Sequence, residues 1–297
     1  FTIKLMVMEN ALNSSYYMTE RRIVMIIDFH THIFPEKIAS RAIASLEQKA
    51  KMRAHVSGVE ASLRASMDKS GVDLSIILPV VTNPHQFETV NRVAVETNEH
   101  TKETGLLSFG GIHPDNDNYR EIIQFLADHG CKGIKIHPVY QGVAIDDIRF
   151  LRIIDCAEEY GLVTITHAGY DIGFPGEEQS LPVHICNMLD EIKPSRMVLA
   201  HMGGWGCWDQ VMDRIIGRDV YLDTAFSTTS APREGAPLST DLFTVMIQKH
   251  GSDRIVMGSD SPWSDQLDSI NAIKNCNIPE ECIAKILGDN AKKLLQL

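Results

Sequence analysis

Eight short apolar runs, rich in Val, Ile, Leu and Met, punctuate the chain at residues 23–29, 74–81, 106–112, 133–137, 162–167, 196–201, 219–224 and 254–259. Their starts lie 23 to 51 residues apart, the interval a parallel strand needs to return through a helix. The runs are apolar at nearly every position, as expected of strands covered on both faces. The segments between them read as helices. Residues 57–69 carry Val59, Leu63 and Met67 at four-residue spacing and stop at Gly71, residues 148–160 stop at Gly161, and residues 281–297 form an amphipathic C-terminal helix. Eight strand–helix units in 297 residues predict a single α/β domain, a (β/α)8 barrel spanning 23–297, since such barrels typically take about 250 residues. An open doubly wound sheet is the competing architecture, but no Gly-rich phosphate loop follows the first strand. Residues 1–22 are expected to be a loosely attached N-terminal extension.

Composition narrows the function. With 28 basic and 39 acidic residues the net charge is −11, which argues against a nucleic-acid partner and against an anionic membrane surface. No apolar run is long enough to span a bilayer, and residues 1–24 lack the uninterrupted apolar core of a signal peptide. Six cysteines without a CxxC pair are expected to be reduced thiols, and the expected compartment is the cytoplasm.

In this architecture chemistry gathers at the C-terminal ends of the strands. The first run ends Asp28-Phe29-His30-Thr31-His32, the fifth at His167, the sixth at His201 and the eighth at Ser259-Asp260. Residues two apart in a strand share a face, so His30 and His32 would both look into the barrel mouth, with Asp28 deeper on the same face. Imidazole and carboxylate groups converging from four strands form the donor set of a divalent cation. The fourth run, Gly133-Ile134-Lys135-Ile136-His137, adds Lys135 and His137.

These motifs, with His201-Met202-Gly203-Gly204, Leu222-Asp223-Thr224, Gly258-Ser259-Asp260-Ser261-Pro262-Trp263 and the closing Leu287-Gly288-Asp289-Asn290-Ala291, resemble the amidohydrolase superfamily over residues 26–297. The branch resembled is amidohydrolase-2, which includes metal-dependent hydrolases and the aminocarboxymuconate-semialdehyde decarboxylase group. The resemblance implies one divalent ion on His30, His32, His167 and Asp260, with zinc expected and Mn2+ or Fe2+ as alternatives. It gives His201 and Asp260 catalytic roles on a metal-activated water and makes Asp28 a supporting residue. Lys135 reads as a buried counter-charge, or as a carboxylated bridge between two ions with His201 as a further ligand.

His137, Arg233 and Trp263 are expected to contact a small-molecule substrate, and His113 reads either as a pocket residue or as a structural one. The loop 226–238 is expected to be a flap over the site. His55, His85, His100, His129, His184 and His250 are expected at the surface. Few arginines fall near strand ends, which favours hydrolysis of an amide, ester or lactone over the alternative, non-oxidative decarboxylation of a small unsaturated or aromatic acid. A catalytically silent barrel would carry a broken ligand set, whereas this one is complete. The resemblance also implies a homodimer.

Overall fold

The computed structural model describes residues 25–231 and 237–297. Eight parallel strands follow one another around a ring: β1 (Ile27–Thr31), β2 (Leu74–Ile77), β3 (Leu106–Ser108, resuming at Gly110–Gly111), β4 (Gly133–Ile136), β5 (Val163–Thr166), β6 (Met197–Leu199), β7 (Tyr221–Asp223) and β8 (Ile255–Val256). The interruption in β3 is one residue wide, and the Phe109 amide still donates to Ile77 O across it (2.9 Å). The ring closes beyond β8, where the Phe29 amide donates to Met257 O (2.8 Å) and the Asp260 amide to His30 O (2.8 Å). The α/β barrel expected from the spacing of the apolar runs is therefore the fold.

Two apolar layers hold it together. The inner layer gathers Ile27, Phe29, Leu74, Ile76, Phe109, Ile165, Val198 and Val256, with Phe29 and Phe109 packed edge-on at 5.8 Å. The outer layer joins the other strand faces to the helices. Among those helices are α1 (Glu36–Ala50), α2 (Glu60–Ser70), α3 (Ile148–Glu159) and α4 (Gln266–Lys274). Both glycines read as stop signals adopt the left-handed conformation, Gly71 at φ 75° and Gly161 at φ 69°. The C-terminal helix α5 runs Glu280–Ala284, widens by a turn through Lys285–Asp289 and ends as Asn290–Leu295. Its Leu294 and Leu295 join the inner layer beside Ile27, plugging the end opposite the strand C-termini. No described helix is long and apolar enough to cross a membrane, and none of the six cysteines is paired.

Two expectations are corrected here. His250 is not at the surface. It is buried, its Nε2 lies 2.9 Å from Val220 O, and its Nδ1 accepts from the Gly217 amide; burial pushes its pKa down to about 4. Asp28 is not on the inner face. Between Asp28 and Thr31, β1 advances three residues while β2 advances two, from Ser75 to Ile77. This bulge resets the alternation of side chains. Asp28 instead meets Gln266 of α4 and Ser259, and its carboxylate accepts from the Ser259 amide and hydroxyl, the Gln266 amide and the His30 backbone amide. It braces the backbone that carries the site and touches no imidazole ring.

Candidate metal centre

The strand ends bring together five imidazoles, three carboxylates and one ammonium, nearly all of them buried. β1 supplies His30 and His32. Gly258, just past β8, leaves room for the first of them, since a Cβ there would lie 2.9 Å from His30 Cβ. His30 Nδ1 lies 2.7 Å from Asp223 Oδ2 at the end of β7, and His32 Nδ1 lies 2.8 Å from Leu78 O. A carboxylate and a carbonyl only accept, so each ring carries its proton on Nδ1. The two Nε2 atoms are thus lone-pair donors, and they face each other at 3.1 Å. Asp260 Oδ1 completes the group, 3.2 Å from His32 Nε2 and 3.5 Å from His30 Nε2.

Three electron-pair donors converge here with no proton to share among them. Such a set repels itself unless a cation lies within it, and two imidazoles with one carboxylate match the ligand chemistry of Zn2+ or Mn2+. The cation already nearby is Lys135, whose Nζ is 3.5 Å from His30 Nε2. Burial lowers the Lys135 pKa to about 8, against the pull of Asp223, Asp260 and Asp171. Burial and then Lys135 hold His30 neutral, far below the usual imidazole range.

Asp260 and His201 both sit in the left-handed region, at φ 69° and 57°. Non-glycine residues adopt this conformation at a cost of about 1 kcal/mol or more, and it concentrates at functional sites. Around His201 the strain is shared along a left-handed turn, with Met202 at φ 51° and Gly203 at φ 85°. The His201 amide donates to Asp223 Oδ1 (2.8 Å) and its Nδ1 lies 2.9 Å from Ala225 O. Its Nε2 therefore faces inward as a lone pair.

A second group lies alongside. His167, at the end of β5, has Nδ1 3.1 Å from His201 Nε2 and Nε2 3.2 Å from Tyr170 O. It stacks on His137 with ring centroids 4.4 Å apart, and His137 Nε2 lies 3.6 Å from Asp171 Oδ2. His137 Nδ1 accepts from the Tyr140 amide (3.4 Å), so its proton is on Nε2, directed at Asp171. Burial raises the Asp171 carboxyl to about 6 and, with the neighbouring histidines, holds His137 and His167 far below the ordinary imidazole value. Gly169 ties this loop to the loop after β6, because a Cβ there would lie 2.2 Å from the Trp205 amide nitrogen.

All these side chains except Lys135 and Asp223 line one cavity of about 680 Å3. Its other walls are mostly apolar and aromatic, including Phe34, Leu78, Tyr140, Trp205, Phe226 and Trp263. His30, His32, His137, His201, Asp260 and Trp263 all line this cavity. His167 joins them through His201, outside the His30–His32–Asp260 group. His113 does not line the cavity; His85 is exposed, as expected, and also borders the cavity. Arg233 and residues 232–236 of the expected flap lie outside the described residues. Asp223, Asp171 and Tyr140 were not assigned roles from sequence. For Asp223 the signal was present, since it lies at the end of the seventh apolar run just as His167 lies at the end of the fifth.

The profile of the amidohydrolase family, second branch, matches residues 27–297. The chain belongs to this family. A comparison with curated proteins finds no match, but solved structures share the fold. A 2,6-dihydroxybenzoate decarboxylase from Rhizobium is 16% identical, with 92% of this chain and 99% of that one covered and a TM-score of 0.66. A dihydroxybenzoic acid decarboxylase from Polaromonas, with bound manganese and the inhibitor 2-nitroresorcinol, is 17% identical over 93% and 98% of the chains, TM-score 0.68. An uncharacterised TIM-barrel protein from Bordetella bronchiseptica is 16% identical over 92% and 98%, TM-score 0.69. At these identities the likeness concerns the fold.

Proposed function

We propose that this amidohydrolase-family member is a divalent-metal-dependent, non-oxidative decarboxylase of a small aromatic or conjugated acid. The observation that carries the reading is the proton-free group of His30 Nε2, His32 Nε2 and Asp260 Oδ1 opening into a cavity whose remaining walls are largely apolar. These three residues would hold the ion, with His167 as the expected fourth ligand. A bound divalent ion supplies the positive charge that seats a carboxylate, so the scarcity of arginine that favoured hydrolysis no longer weighs against decarboxylation. Two similarly folded neighbours are described as decarboxylases, one with manganese, which supports this choice.

The chain's own residues do the rest. Trp263, Phe226 and Tyr140 offer flat apolar faces to a conjugated ring and exclude water from it. As CO2 leaves, the bonding electron pair stays on the former carboxyl-bearing carbon, which must then gain one proton. His201 is placed to deliver it: its ring is oriented by Ala225 O, and its inward Nε2 can take up a proton and release it. Asp223 holds the His30 tautomer and the His201 backbone with one carboxylate.

The test is a panel of hydroxybenzoates, aryl esters, lactones and amides presented to Zn2+- and Mn2+-loaded protein. CO2 release from the acids without cleavage of the others supports the reading. Ester, lactone or amide cleavage without CO2 release restores the hydrolase.

A further inference from the structure

The cavity extends well beyond the metal-ligand group, along α1. This helix has two apolar faces. Ala39 and Ile43 pack into the protein, while Ile38, Leu46 and Ala50, spaced in multiples of four, turn towards the cavity. Phe34, Met52 and Ile172 continue the same wall. The six residues carry no charge and no side-chain hydrogen-bonding group. Ile38 is 41% exposed, so the wall ends in open apolar surface. A cavity near 680 Å3 belongs to the range that encloses drug-sized ligands, roughly 300–1,000 Å3. A single-ring acid anchored at the histidines would leave most of it to water held against hydrocarbon, which is unfavourable.

We propose that the acid substrate carries a hydrocarbon tail, and that the wall of Phe34, Ile38, Leu46, Ala50, Met52 and Ile172 is its binding site. This rests on the decarboxylase reading for the headgroup and adds the rest of the molecule. The polar residues that also line the cavity, Thr82, His85, Gln86 and Thr89, would face the ring edge that bears oxygen substituents.

Two homologous series separate the tail from the reaction. The first is 4-n-alkyl-2-hydroxybenzoates of increasing chain length, assayed for CO2 release. The second is 4-n-alkylphenols, which cannot react, titrated calorimetrically. Burying each added methylene is expected to raise kcat/KM and phenol affinity about fourfold until the wall is covered. Ile38→Glu, at an exposed position compatible with folding, should flatten the dependence on chain length in both series. Rising phenol affinity without CO2 release would uphold the tail site and defeat the decarboxylase reading. CO2 release with affinity that is flat or falls along both series would overturn the tail site alone.

Discussion

Two triads of the same composition, two histidines and an aspartate, lie side by side in this barrel mouth. In one, His30 and His32 spend their protons on Asp223 and Leu78 O, so both Nε2 atoms meet Asp260 as bare lone pairs. In the other, His137 Nδ1 already accepts the Tyr140 amide, which leaves a proton on Nε2 facing Asp171. The first arrangement calls for a cation and the second already contains a proton. Residue type does not decide between them; the partner of the far ring nitrogen does.

Breaking the first triad gives the largest effect. His30→Ala should reduce metal content to background and lower activity by more than the about 10–100-fold that loss of an outer partner causes; elemental analysis and a CO2 assay measure both. His201→Gln comes next. It should leave the metal bound but slow turnover by about 10²–10⁴-fold, the range for loss of a proton-transfer group, in assays at saturating metal.

The second triad is tested through pH. Asp171 titrates near 6 in the fold, above the ordinary 3.8. A carboxyl raised in this way contributes stability that is complete below about 3.8 and is lost as pH rises through 6. Asp171→Asn keeps an acceptor for the Gly173 amide and removes the buried charge. The metal-free variant should be more stable than the parent by up to about 3 kcal/mol at pH 8, with the gain vanishing near pH 4; denaturant unfolding at both pH values measures it. The smallest expected effect is that of Asp223→Asn, which leaves His30 in place but frees its tautomer. Metal affinity should fall about 10–100-fold, as read by competition with a chelator.

Much of this site was legible in the sequence, because strand-end positions report themselves as the residue that follows an apolar run. His30, His32, His167, His201 and Asp260 were found that way. Asp28 was misplaced because the two-residue rule assumes an unbroken ladder, and the bulge that breaks it exists only in the pairing of β1 with β2. His250 reads as helix-end surface, and its burial depends on the loop 217–220 folding against it. The His137 tautomer follows from a local cap bond with the Tyr140 amide three residues on, but those of His30 and His32 depend on Asp223 and Leu78 O, in segments far away in the chain. No local pattern encodes the latter two.

The most direct test is a Co2+ titration followed by its visible absorption in three proteins. The parent and the double variant His137→Gln/Asp171→Asn should each bind one equivalent in the cavity, and His32→Ala/Asp260→Asn should bind none. Retention of the ion by His32→Ala/Asp260→Asn, with its loss from His137→Gln/Asp171→Asn, would place the metal in the other triad and contradict the account.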